Sequence, residues 1–444
     1  MKLRLLQMRD ALTDSFWFLP LIMAFLAGGA ALGSVAIDHK IGSGWVDDIG
    51  WIWSGGADGA RGVLSVVAGS VMTVVSIVFS LTVTTLAQTS SHFGPRVLRN
   101  FTSDRFVQFT LGTFVATFVY CLLVLRTVRS VEESSFVPYL SVNIGVLLAL
   151  ASLAVLIFFI HHVAQSIQAE TLIAEVGEDF QNALEVLFPE RIGRPENEET
   201  STREPDEKQW RDGHAVITTA CGYLQRVDDK QLMHLATKHD LVLKVEKRPG
   251  DFVASVPLVR VLDPLKVTDS IEKSLRNCFS LGRYRTPHQD ALYMVQQLVE
   301  IAAHALSPGI NEPFTALTCI DWLGAALRGV ARRDIPSSLR QDESGQLRVV
   351  APVLDFEEMA RSSFDQIRIY GASNPDIMMR LLQVISEIAP NLRREHDREV
   401  LVMHANLIGD DASQINNEDD RRRVADGFRE ALRALTQSKS IFWK

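Results

Sequence analysis

The stretch that decides the fold is "GVLSVVAGSVMTVVSIVFSLTVTTLAQTSSHFGPR", residues 62–96, which carries no formal charge before Arg96. About 20 apolar helical residues cross a bilayer core, so this run is long enough to span a membrane. It is also rich in serine and threonine. Ser65, Gly69, Thr73, Ser76, Ser80 and Thr84 recur at steps of four, four, three, four and four. That spacing gathers them on one face of a helix, with Ser70, Thr82 and Thr85 off it. Two uses of the stripe are open. Small residues let membrane helices approach closely while hydroxyls satisfy backbone carbonyls. Alternatively the hydroxyls line a water-filled path, with Phe79 or Met72 forming an apolar ring that gates by dewetting. Continued through Thr89, the helix measures about 42 Å at 1.5 Å per residue, longer than the hydrocarbon. Its hydroxyls run on to Thr89, Ser90 and Ser91. Close packing needs no polar residues past the membrane edge, which favours lining for part of the stripe.

Three further runs reach spanning length, at residues 16–37, 106–125 and 137–160. The first exceeds the apolar core of a signal peptide and precedes three more spans, so it reads as a retained helix. Lysine and arginine set the orientation. Lys2, Arg4 and Arg9 precede span one, and Arg96, Arg99 and Arg105 lie between spans two and three. Asp38, Asp47, Asp48 and Asp58 dominate the loop between spans one and two. Both termini and the second loop are therefore expected inside. Trp45, Trp51 and Trp53 suit an outer interfacial belt or a small apolar cap on the first loop. No span shows a buried acid or base, so a proton relay is not expected.

Span two should stop at Gly94 and Pro95 and bend onto the membrane surface. The resulting elbow, Ser91, His92, Gly94, Pro95 and Arg96, faces lipid phosphates or forms the inner mouth of a path. His161 and His162 end span four at the same face. Adjacent histidines point to different sides of a helix, so a two-histidine metal site is not expected.

The rest of the 444-residue chain has the composition of soluble protein. Segregation explains how 47% hydrophobic residues coexist with 22% charged ones. The net charge of −8 shows no basic face and argues against nucleic acid as a partner. Four separated cysteines with no CxxC fit a reducing compartment and offer no zinc knuckle. The expected fold is an α-helical membrane protein with four transmembrane helices and a cytoplasmic C-terminal region, α+β and mostly helical. Its domains are a transmembrane part at 1–162, a helical stalk at 163–188, a flexible linker at 189–208, a small α/β part at 209–267 and a mostly helical part at 268–444. The stalk has one apolar face, Ile173, Val176, Phe180, Leu184 and Leu187. In the α/β part, "HAVITTA", "GYLQRVD", "LVLKVE" and "FVASVPLVRVL" read as strands, with a helix over 230–238 and the turn "KRPG".

The motif "ALSPGINEPFTA" punctuates two helices. Ser307, Pro308 and Gly309 stop the first, Asn311 is placed to cap the second, and Pro313 is tolerated in its first turn. A capped helix start beside glycine can hold an anion, and it can also be capping alone. Glu300 and His304 make one i,i+4 pair, which is not a metal site without further ligands. No catalytic motif, cofactor fingerprint or metal signature is found.

With those motifs, the chain resembles the bacterial domain of unknown function 2254 family of predicted integral membrane proteins. The resemblance rests on "VVSIVFSLTVTTLAQTSSHFGPR", on "FIHHVAQSIQ", and on "ALSPGINEPFTA" with Asp290 upstream. The family usually has serine where Gly94 stands and aspartate where Glu312 stands. The resemblance implies a bacterial inner-membrane location and no particular activity. Three functions fit these features. One is a homo-oligomeric ion channel or passive transporter lined by span two, with a cytoplasmic regulatory or assembly domain. The second is a membrane-anchored scaffold or sensor, and the third a membrane-bound enzyme with an unrecognised site. The expected partners are membrane lipids, further copies of the chain, and a small ion or small-molecule ligand, with no cofactor.

Overall fold

A computed structural model describes residues 15–41, 56–94, 96, 104–129, 136–166, 168–187 and 204–437. The basic N-terminal residues, the three loop tryptophans, Pro95, Arg99 and the expected linker up to residue 203 lie outside the described residues. Two compact units divide between Gln168 and Ala169.

The first unit contains α1 (Phe18–Ile41), α2 (Ala57–Phe93), α3 (Arg105–Thr127) and α4 (Tyr139–Ser166). All four are long and apolar enough to cross a membrane, as expected. The central helix is α3. In it 61% of the apolar stretch is buried, against 11%, 22% and 17% in α1, α2 and α4. Close approach depends on small residues. A Cβ on Gly112 of α3 would lie 2.4 Å from Met23 Sδ of α1, so the two helices meet there through glycine. Ala60, Leu64 and Ala68 of α2 pack with Tyr120, Cys121 and Val124 of α3 toward one end. Val71 and Val78 pack with Leu111, Phe114 and Phe159 toward the other. The interior between the helices is therefore filled with side chains along its length.

At 37 residues, α2 measures about 56 Å at 1.5 Å per residue, longer still than the apolar run implies. It ends at Phe93 because Gly94 takes φ 91° and ψ 163°, a conformation open essentially to glycine alone.

In the second unit, α5 (Ala169–Leu187) covers the residues expected as a stalk. Its apolar residues Ile173, Val176, Phe180 and Leu184 are buried, while the side chain of Leu187 lies outside the described ones. The covering helices are α9 (Ala291–Ala305) and α10 (Pro313–Ala331) of the same chain. Trp322 of α10 lies over Gly177, where a Cβ would meet its ring at 2.3 Å. The 3.6-residue periodicity is thus used inside the unit.

The four strand-bearing segments form β1 (His214–Ile217), β2 (Cys221–Val227), β3 (Leu243–Val245), β4 (Phe252–Ala254) and β5 (Pro257–Val261). Between them come α6 (Glu207–Asp212) and α7 (Asp229–Lys238), and after them α8 (Asp269–Arg276). Three strands fall in sequence read as helical: β6 (Phe279–Gly282), β7 (Leu339–Gln341) and β8 (Leu347–Val350). They complete two sheets, ordered β1-β5-β3-β8-β7 and β4-β2-β6. The β3–β8 pair is parallel, with Leu243 opposite Val349, and its neighbours are antiparallel. Such a pairing needs a crossover and leaves no local signal. The chain closes with α11 (Phe356–Gly371), α12 (Pro375–Ile388), α13 (Glu395–Asp411) and α14 (Glu418–Gln437). Side chains of Asp355 and Asn374 cap the first two of these.

Candidate functional site

Every residue of the hydroxyl stripe points away from the four-helix interior. Ser65, Gly69, Thr73, Ser76, Ser80 and Thr84 are exposed, as are Met72 and Phe79. The opposite face of α2 buries Val71, Val78, Thr82 and Thr85, so the off-stripe threonines belong to the packed side. Three stripe hydroxyls donate to their own helix: Thr73 to Gly69 O at 3.0 Å, Ser76 to Met72 O at 3.2 Å and Thr84 to Ser80 O at 2.9 Å. Close packing within the chain is therefore not what the stripe does. Of the elbow, Ser91, His92 and Arg96 are exposed, while Gly94 is buried.

Both ends of this unit carry polar clusters. At one end Asp38, in the last turn of α1, is 5% exposed. This corrects the expectation that no span buries an acid. Asp38 accepts from Leu140 N at 2.9 Å, Ser141 N at 3.0 Å and Ser141 Oγ at 2.6 Å. A carboxylate from α1 thus caps the first turn of α4, where unpaired amides and the helix dipole favour negative charge. Tyr120 Oη donates to Ser141 O at 3.1 Å and lies 2.9 Å from Ser34 Oγ. At the other end Asp104 caps α3 through Phe106 N at 2.8 Å. His162 Nε2 donates to the same carboxylate at 2.6 Å, and its ring tilts against Phe106 at 4.8 Å. Of the two histidines, His162 thus ties the end of α4 to the start of α3.

In the second unit the motif residues fall at opposite ends of α9. Asp290 caps its start, accepting from Tyr293 N at 3.1 Å. Arg285 grips the same carboxylate with Nε at 2.8 Å and Nη2 at 2.9 Å. Burial raises the pKa of Asp290, while the Arg285 charge pulls the other way. Gly250, at φ 99°, lies so close that a Cβ there would meet Asp290 Oδ2 at 2.4 Å. Asp290 therefore positions the Lys247–Gly250 turn as well as the helix.

The loop after α9 closes on backbone bonds: Asn311 N to Ser307 O at 2.9 Å and Glu312 N to Ala305 O at 2.8 Å. Asn311 does not cap α10, which corrects the sequence reading. It sits in the left-handed region at φ 53°, and Glu312 is the N-cap without a side-chain bond, followed by Pro313. Pro308, Gly309, Asn311 and Glu312 are exposed, beside Phe314. Among the described residues no three His, Cys, Asp or Glu side chains form a metal-binding group.

Four membrane-length helices joined to a folded unit of helices and strands define a multi-span membrane protein. The chain belongs to the family described as "Predicted membrane protein (DUF2254)", which matches residues 13–387. It is 32% identical over 391 residues to "Uncharacterized protein Rv1290c" of Mycobacterium tuberculosis, covering 86% of this chain and 73% of that one. The same figures hold for "Uncharacterized protein Mb1321c" of Mycobacterium bovis. No solved structure matches.

Proposed function

We propose that the protein works as a homo-oligomer in the bacterial inner membrane, where outward α2 faces from several copies border a path for a small ion or solute. The observation that carries this reading is the exposure of all six stripe positions on a four-helix unit whose own interior is filled. A path lined by the stripe can then form only between copies, and closed rings are the usual outcome of such self-association. Both termini lie inside in this reading, and the C-terminal unit fixes the assembly or reads a ligand. No catalytic step is assigned.

A second reading has its own support. Thr73, Ser76 and Thr84 already satisfy their hydroxyls within the helix, which suits dry contact between copies of a scaffold.

Cysteines at Thr73, Ser76 and Ser80, one at a time, separate the two in proteoliposomes. A charged, water-borne thiol reagent modifies them if they border water and spares them in a dry contact. Mass measurement in nanodiscs accompanies the labelling, and a monomer there contradicts both readings. For orientation, Gly56→Cys should label from outside and Arg96→Cys only after permeabilisation.

A further inference from the structure

The second unit carries an open cavity of about 840 Å³, within the roughly 300–1,000 Å³ typical of small-molecule sites. Its place follows from the sheet. Lys247, Arg248 and Pro249 come one residue after the end of β3, and residues 351–354 directly follow β8. Those are the carboxyl ends of the parallel β3–β8 pair, the side on which open α/β sheets bind ligands. The first turns of α7 and α9 and the start of β7 supply the remaining wall.

The chemistry of the lining is lopsided in two ways. Its apolar part is aliphatic: Met233, Val245, Val349, Ala351, Val353 and Leu354 contribute, and no Phe, Tyr or Trp ring does. Such walls offer mainly alkyl contact, with the His234 imidazole the one ring beside them. Its charged part is mainly basic: Lys230, Lys247, Arg248 and Arg340 against Asp229 and Asp290. Two of these charges are already matched inside the protein, Arg248 by Glu358 and Asp290 by Arg285. Among the described residues, no hydrogen bond or ion pair joins the side chains of Lys230, Lys247 or Arg340 to another group. Asp229 is the carboxylate left to them, and its Oδ1 already accepts from Lys230 N at 2.8 Å. Arg340 is half-buried, and burial lowers its pKa with Asp229 as the opposing influence. A desolvated guanidinium with no bound counter-charge gains from an incoming carboxylate or phosphate.

We infer that this cavity binds an aliphatic organic anion, an alkyl or acyl chain ending in a carboxylate or phosphate, with Lys230, Lys247 and Arg340 holding the head and the β3–β8 end of the sheet holding the chain. Asp290 is a positioning residue for it. By gripping Arg285 and packing on Gly250 it fixes the turn that carries Lys247. The inference does not depend on a conducting path.

Calorimetric titration of the full chain in nanodiscs tests it, with empty nanodiscs as the blank. The probes are octanoate, octyl phosphate, inorganic phosphate and the neutral octanamide. Saturable binding of octanoate or octyl phosphate is expected, and which binds tighter tells carboxylate from phosphate. Octanamide and inorganic phosphate should each bind about tenfold or more weakly. Lys230→Gln with Lys247→Gln changes exposed or half-exposed charges and should weaken the anion about tenfold, with the unfolding temperature kept as the folding control. Ala351→Phe should fill the cavity and abolish binding. No saturable heat from either amphipathic anion would overturn the inference, as would equal binding of octanamide or inorganic phosphate. So would unchanged affinity in both variants.

Discussion

Asp38 and Asp290 do the same work under opposite conditions. Each is a buried carboxylate accepting from the first amides of a helix. Asp290 caps the helix that follows it in the chain and shares its charge with Arg285. Asp38 caps a helix about a hundred residues away and, among the described residues, meets only N–H and O–H donors. In the membrane unit neutral donors hold the carboxyl group, whereas the second unit adds a cation. The difference predicts how each unit fails.

The largest effect is expected for Asp290→Ala, which takes the carboxylate from the partly buried Arg285 and the cap from Tyr293 N and should cost about 3–5 kcal/mol. Adding Arg285→Met should recover part of that loss, because the stranded charge goes with it. Denaturant titration of the full chain reads both, and a double variant no more stable than Asp290→Ala would break the contrast.

His404 is a third kind of buried titratable group, with neither ring nitrogen hydrogen-bonded. Burial lowers its pKa from 6.5 to about 4, outweighing the Asp365 carboxylate 3.6 Å away. Between those values the unfolded chain binds the proton and the folded one does not. Stability is therefore complete above pH 6.5, falls as pH drops toward 4 and levels off below. The loss should reach about 2 kcal/mol by pH 5. His404→Leu should remove this component, and an unchanged pH slope in that variant would contradict the assignment.

Asp38→Ala should cost about 1–3 kcal/mol by stranding the Leu140 and Ser141 amides, the Ser141 hydroxyl keeping Ser34 Oγ as a partner. Asp38→Asn, which keeps an acceptor, should lose less. Thermal unfolding in nanodiscs reads the pair, and equal losses would show that charge rather than hydrogen bonding matters at this end. The smallest effect is expected for Gly94→Ser, about 1 kcal/mol from a conformation suited to glycine. An unchanged unfolding temperature there would mean that the elbow takes another shape.

The same contrast explains what was legible beforehand. The four spans were readable because length and apolarity are local properties, whereas Asp290 stood out only through the family resemblance and its capping of α9 did not. The cap made by Asp38 was not readable, since its partner is remote in sequence. Strands β6 to β8 were missed because each has three or four residues and gains its meaning from distant neighbours. Asn311 looked like a cap from residue type alone, and the backbone turn at φ 53° decided otherwise. The stripe was visible as a stripe, but its direction depended on which face of α2 packs on α3. The three cavity cations come from three separate segments, so no spacing rule collects them.

The most direct test of the central claim is ion flux in proteoliposomes for wild type, Ser76→Leu and Ser80→Leu, run beside thermal stability. If the α2 faces border water, the wild type conducts under some ionic gradient, while each leucine blocks flux and leaves assembly and unfolding temperature intact. No wild-type flux under any gradient, with both variants destabilised by about 1–3 kcal/mol through overpacking, would contradict the account and make the stripe a dry contact between copies.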